Sequence, residues 1–122
     1  YDPTSPGEID IARWLADWGQ AHGFETRVQP VIGDRSNVIL ALRRGTGGRH
    51  LLLNGHTDTV AVEGMTIPPF AGEIRDERLH GRGSADMKGP LACMLATLLN
   101  LRDSPEPWSG AITVAAVVDE EY

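Results

Sequence analysis

Two stretches of this chain are apolar at every position and then break straight into charge. Leu51-Leu52-Leu53 runs into Asn54-Gly55-His56-Thr57-Asp58, and Val114-Ala115-Ala116-Val117-Val118 runs into Asp119-Glu120-Glu121. A half-buried strand alternates apolar and polar residues, whereas an unbroken apolar run of this length suits a strand covered on both faces. The runs predict strands over residues 50–54 and 111–118. Ligands of open α/β sheets bind beyond the carboxyl ends of the strands. Both polar clusters therefore fall where a site belongs.

Helix and strand alternate around these runs. Ser5-Pro6-Gly7-Glu8 predicts a helix start, with Ser5 as N-cap, Pro6 at the first helical position and Glu8 completing a capping box. Ile11, Leu15 and Trp18 recur at helical spacing with Ile9 and Ala12 beside them, and Gly23 is the expected stop. Phe24, Thr26 and Val28 alternate with polar residues as a half-buried strand does. Residues 37–42 predict another strand, and 43–49 a glycine-rich turn. Residues 71–74 and 79–80 predict a short hairpin about Asp76-Glu77. Over 88–102, Leu91, Ala92, Leu95, Ala96, Leu98 and Leu99 make a helix apolar nearly all round, expected between the sheet and a further layer. Cys93 is expected in that packing. Pro105 and Pro107 mark a loop. The sum is an α/β layered domain with a largely buried sheet.

A third polar cluster, Gly81-Arg82-Gly83-Ser84-Ala85-Asp86-Met87-Lys88-Gly89, sets an aspartate between glycines just before the second helix. Asp58, Asp86, Glu120 and Glu121 account for −4 of the net charge of −6. Carboxylates gathered at strand ends repel unless they are protonated or neutralised. Lys88 is the only lysine, and the arginines are scattered. Divalent cations are the natural neutraliser. One histidine with carboxylates is a mixed N/O donor set compatible with Zn²⁺, and less diagnostically with Co²⁺ or Mn²⁺. His56 and Asp58, two apart in extended chain, point to the same side, while the adjacent Glu120 and Glu121 diverge.

The remaining composition excludes some classes. The acidic balance, with no basic patch, argues against a nucleic-acid partner. No apolar run approaches membrane-spanning length. A single cysteine excludes an internal disulfide and fits a reducing, cytoplasmic compartment. Taken singly, each motif is weak: His-x-Asp is often a surface turn, Asp-Glu-Glu a solvated patch, Gly-Arg-Gly a loop. His22, His50 and His80 read as ordinary surface or strand residues, and Trp14 and Trp18 as packing. The three clusters in this order carry the weight.

Together, Gly55-His56-Thr57-Asp58-Thr59-Val60, the glycine-flanked Asp86 segment and Asp119-Glu120-Glu121 resemble the M20 metallopeptidase family, the group of acetylornithine deacetylase, succinyl-diaminopimelate desuccinylase and carboxypeptidase G2. Ser-Pro-Gly-Glu, Gly23-Phe24 and Asn37-Val38-Ile39 match its usual beginning. The resemblance implies a zinc-exopeptidase-like fold with a mostly parallel sheet flanked by helices. Residues 1–122 would be the N-terminal portion of the catalytic domain, without the lid or dimerisation domain and the C-terminal portion. It implies His56, Asp86 and Glu121 as metal ligands, Asp86 bridging two Zn²⁺. It makes Asp58 the residue that orients His56 and Glu120 the general base. It also implies a non-proline cis peptide at Asp86–Met87. The expected reaction is hydrolysis of the amide in a small N-acyl amino acid or peptide substrate, by a full-length parent that is a homodimer. The 122-residue chain alone would be inactive. The alternative is an inactive fragment or a non-catalytic metal-binding homologue.

Overall fold

A computed structural model describes residues 8–121. The predicted start at Ser5-Pro6-Gly7 lies outside them. Helix α1 spans Ile9–Ala21 with Glu8 at its N-cap, and Glu8 makes no side-chain cap bond. The capping-box role of Glu8 is thus corrected. Its buried carboxylate lies 2.7 Å from Nε of Arg35 instead. The helix ends as its sequence predicts. Gly23 takes φ +77, and the Phe24 and Gly23 amides donate to the Gly19 and Gln20 carbonyls. This is the Schellman arrangement that glycine permits. Phe24 then stacks on Trp18 at 5.6 Å.

Strands β1 (Glu25–Ile32) and β2 (Arg35–Arg44) form a hairpin, followed by β3 (Arg49–His56). Strands β4 (Glu73–Arg75) and β5 (Arg78–His80) close a small separate hairpin on Asp76-Glu77. Both turn residues have left-handed φ, 51° and 60°, as a two-residue type I′ turn requires. Helix α2 (Lys88–Asp103) and strand β6 (Gly110–Val117) complete the order. The Asp86–Met87 peptide before α2 is cis.

The main sheet runs β1-β2-β6-β3. Only β3 and β6 are parallel; β1–β2 and β2–β6 are antiparallel. The expected mostly parallel sheet is therefore corrected to a mixed one. Apolar runs report burial, not direction, and the two-residue link between β1 and β2 forces an antiparallel pair.

The helices do not sandwich the sheet either. α1 packs on β1 and β2, α2 on β3 and β6, and both draw on one core of Leu15, Val38, Leu40, Leu91, Leu95, Leu98, Ile112 and Val114. Val38 and Leu40 pair with Ala116 and Val114, so these residues share one face of the sheet. Gly55, level with Ala116, lets α2 come close: a Cβ there would stand 2.8 Å from Cε of Met87 and 3.0 Å from Cδ2 of Leu91. The opposite face carries Ala41, Thr113 and Ala115, and Leu52 on the β3 edge is 61% exposed. Leu51-Leu52-Leu53 is thus not covered on both sides among the described residues. α2 is likewise one-sided, burying Leu91, Leu95 and Leu98 while Ala92, Cys93 and Ala96 face out. Its all-round apolarity came largely from alanine, which favours helix without demanding burial. Leu98, fully buried, is expected to cost about 2–5 kcal/mol on change to alanine. Cys93→Ala should stay within about 0.5 kcal/mol. Urea unfolding of the two variants checks the contrast; equal losses would mean that α2 is covered on both faces.

Candidate metal centre

Because β3 and β6 are parallel with His56 level with Val117, their carboxyl ends open on the same edge. The turn after β3 is sewn to the end of β6. The Thr57 amide donates to the Val117 carbonyl at 2.8 Å, and Oγ1 of Thr57 donates to the same oxygen at 3.1 Å. From below, Nζ of Lys88 donates to the Thr57 carbonyl at 2.6 Å. Burial pushes the Lys88 ammonium below its usual range, against the pull of Asp58 and Glu8. His56, Thr57 and Asp58 are all buried.

His56 is the hub. Nδ1 lies 3.0 Å from the Asp58 main-chain oxygen, with the Asp58 carboxylate at 3.5 Å. A carbonyl only accepts, so Nδ1 donates to it, and Nε2 is the ring nitrogen left to face the carboxylates and, once it gives up its own proton, a metal. That nitrogen faces the carboxylates, with Oδ1 of Asp86 at 3.1 Å and Oε2 of Glu120 at 3.7 Å. Burial opposes charging His56, yet Asp86, the Asp58 carbonyl and the charges of Asp58 and Glu120 outweigh it and raise its pKa. Asp58 shows the converse. Burial works against its carboxylate, but the Glu121 and Glu120 amides and its own, with His56, hold it below the ordinary range. The Glu121 amide is 2.8 Å from Oδ2 of Asp58.

Ligand atoms of His56, Glu120 and Glu121 lie within 4.8 Å of one another. Asp86 reaches this group through His56. The sequence-predicted residues His56, Asp58, Asp86, Glu120 and Glu121 are thus gathered at one sheet edge, with Glu120 drawn as close to His56 as a ligand would be. A divalent metal fits this donor set. Ligands 2.0–2.2 Å from one ion stand roughly 3–4 Å apart, and the separations from Nε2 of His56 are 3.1 and 3.7 Å. Nearby cations are engaged elsewhere, Lys88 on Thr57 and Arg35 with Asp119 and Glu8.

Three contributors escaped the reading of the sequence. The sequence marks Lys88 as the single lysine, within the glycine cluster, but not as the prop of the His56 turn. Arg35 and Asn37, at the start of β2, touch the segment that bears Glu120 and Glu121. Asn37 carried one signal, the match of Asn37-Val38-Ile39 to the family's usual beginning, and Arg35 carried none.

The family model for peptidase family M20/M25/M40 matches residues 52–122, more than half of the chain. The chain belongs to this family. It is 39% identical over 97% of its length to a succinyl-diaminopimelate desuccinylase of Methylorubrum extorquens, of which it spans 32%. It is 45% identical over 73% of its length to an acetylornithine deacetylase of Shigella sonnei, of which it spans 24%. The chain therefore covers a third or less of these curated relatives. In fold it is similar to the M20 family metallo-carboxypeptidase Sso-CP2 of Sulfolobus solfataricus, with TM-score 0.79 and 23% identity over 93% of this chain and 26% of that one. Human carnosine dipeptidase 1 aligns with TM-score 0.70 and 21% identity over 89% of this chain and 26% of that one. Among the described residues, no M20-chain helix is long and apolar enough to cross a membrane.

Proposed function

We propose that residues 1–122 are the N-terminal part of the catalytic domain of a longer, metal-dependent amidohydrolase. Its substrates would be N-acyl amino acids or related peptide-like amides, the chemistry named for the desuccinylase and deacetylase relatives. The observation that carries this reading is the Nδ1 of His56 held on the Asp58 carbonyl, which turns Nε2 to Asp86 and into one cluster with Glu120 and Glu121.

In this reading His56, Asp86 and Glu121 would hold a pair of Zn²⁺ ions, and Co²⁺ or Mn²⁺ would suit the same donors. When bound, such a pair acidifies water and polarises the amide carbonyl. Glu120 accepts the proton of the attacking water on its free carboxylate and returns it to the departing amine, so each turnover leaves it ionised again. Its side chain, 59% exposed, keeps the access that a proton carrier needs. Asp58 fixes the ring of His56 from behind. The whole protein supplies the remaining ligands, so the 122-residue chain alone is inactive. The lone thiol keeps with a cytoplasmic location.

Dialysis of the full-length protein against a chelator is expected to abolish hydrolysis of N-acetyl and N-succinyl amino acids, and added Zn²⁺ to restore it. Turnover that survives complete metal removal, measured by elemental analysis, would overturn the reading.

A further inference from the structure

The segment that presents Glu120 and Glu121 is held by side chains from the opposite end of the sequence. β2 runs antiparallel to β6, with Val38 level with Ala116. The start of β2 therefore lies beside the carboxyl end of β6, where the ladder stops and Glu120 and Glu121 begin. There Oδ1 of Asn37 accepts the Val118 amide at 3.0 Å. Two residues earlier, the Arg35 guanidinium divides between two carboxylates. Its Nε is 2.7 Å from Glu8 at the foot of α1, and Nη1 is on Asp119. Glu8 is 5% exposed, and the Arg35 side chain 11%. The Arg35–Glu8 pair is therefore shielded, unlike the surface pairs that contribute little, and it fixes the guanidinium that meets the 41% exposed Asp119 side chain.

Asp119 is the residue that needs holding. Its φ is +66, a left-handed backbone that side-chain-bearing residues adopt reluctantly and that persists where the surroundings enforce it. That bend turns the chain out of β6, so that Glu120 comes back to 3.7 Å from His56. Beyond the bend, Asp58 takes the Glu121 amide. Glu120 thus hangs between two anchors, Arg35 and Asn37 upstream and Asp58 downstream, with its own side chain largely exposed.

We propose that Arg35, with Asn37, is a positioning residue for Glu120, while Glu121 is held separately by its amide on Asp58. Arg35 acts through Asp119, and Glu8 braces it against α1. This rests on the function proposed above. It ties the Glu8 and Asn37 motifs, which the metal ligands leave unused, to the chemistry. A misplacement of about 1 Å at a reacting group can cost 10²-fold in rate. A residue that places only the proton carrier should lower kcat and leave KM and metal content alone.

The test is made in the full-length protein with four variants. Arg35→Met is expected to lower kcat roughly ten- to hundredfold, with KM within about threefold and bound metal unchanged. Arg35→Lys, which keeps a charge between Glu8 and Asp119, should recover most of the loss. Should Arg35→Met fail to fold, because Glu8 is left buried without its partner, Asp119→Asn carries the test and should reproduce the drop in kcat. In each folded variant, amide exchange at Glu120 should quicken. Wild-type kcat in Asp119→Asn, metal lost in step with activity, or no recovery in Arg35→Lys would overturn the proposal. Glu120→Gln is the control. If it keeps full turnover, the function reading itself has failed. If it is dead while Arg35→Met and Asp119→Asn are normal, only the positioning role falls.

Discussion

Glu120→Gln in the full-length protein is expected to cut kcat by roughly 10²–10⁴-fold while its metal content stays at the wild-type level. Glutamine keeps the size of the side chain and much of its hydrogen bonding but cannot take up a proton. The magnitude follows from what is removed, a general base and nothing else. Glu120 is the member of the pair for which this prediction carries risk. Its Oε2 stands 3.7 Å from Nε2 of His56, and it closes with His56 and Glu121 into one cluster. Distance alone would serve a ligand as well as a base. Both amides lean on Asp58, the Glu121 amide at 2.8 Å, and Glu121 differs in having a side chain less exposed than that of Glu120. A ligand benefits from a shielded side chain, whereas a proton carrier benefits from reach into solvent and substrate. The paired variant Glu121→Gln should therefore lose metal together with activity. Elemental analysis beside steady-state kinetics separates the two. If Glu120→Gln sheds metal as fast as activity, the roles of the two glutamates are exchanged.

The site was legible in the sequence because its logic is local. A strand that ends in His56-Thr57-Asp58 and another that ends in Asp119-Glu120-Glu121 need only lie side by side and parallel to meet, and β3 and β6 do. The sheet was less legible. Leu51-Leu52-Leu53 looked doubly covered, but β3 lies at the edge of the described sheet, and apolarity records a tolerance for burial rather than a count of neighbours. The β1–β2 hairpin was hidden because β1 is mostly exposed, so its residues beyond Val28 show no buried period. The clamp on Asp119 was out of reach for a different reason. Arg35 and Asp119 are 84 positions apart, and nothing local in either announces the other. Only the antiparallel register of β2 on β6 brings them together. The resemblance supplied the role of Asp58, but its sense is refined by geometry: the nearer partner of His56 is the Asp58 carbonyl, and one carboxylate oxygen holds Glu121 instead.

That refinement sets the second large expectation, a contrast between His56→Ala and Asp58→Asn. His56→Ala removes the only nitrogen donor of the set. It also removes the one group placed between Asp86 and Glu120, both facing Nε2. The carboxylates left behind repel one another. Metal content should collapse, and turnover with it, to the level of the chelated protein. Asp58→Asn is gentler in principle. The Asp58 carbonyl remains to receive Nδ1–H, so the ring orientation that turns Nε2 to the site survives. An asparagine oxygen can still accept the Glu121 amide. What disappears is the negative charge 3.5 Å from Nδ1, which strengthens the ring as a donor. Losing such an outer partner typically costs about 10–100-fold in metal affinity. The variant should therefore bind metal more weakly yet regain activity as Zn²⁺ is raised, whereas His56→Ala should not be rescued at any concentration. Zinc titration monitored by calorimetry and by amide hydrolysis reads both. Rescue of His56→Ala by zinc would place the metal on the carboxylates alone. An Asp58→Asn protein beyond rescue would make Asp58 a direct participant rather than the support of His56.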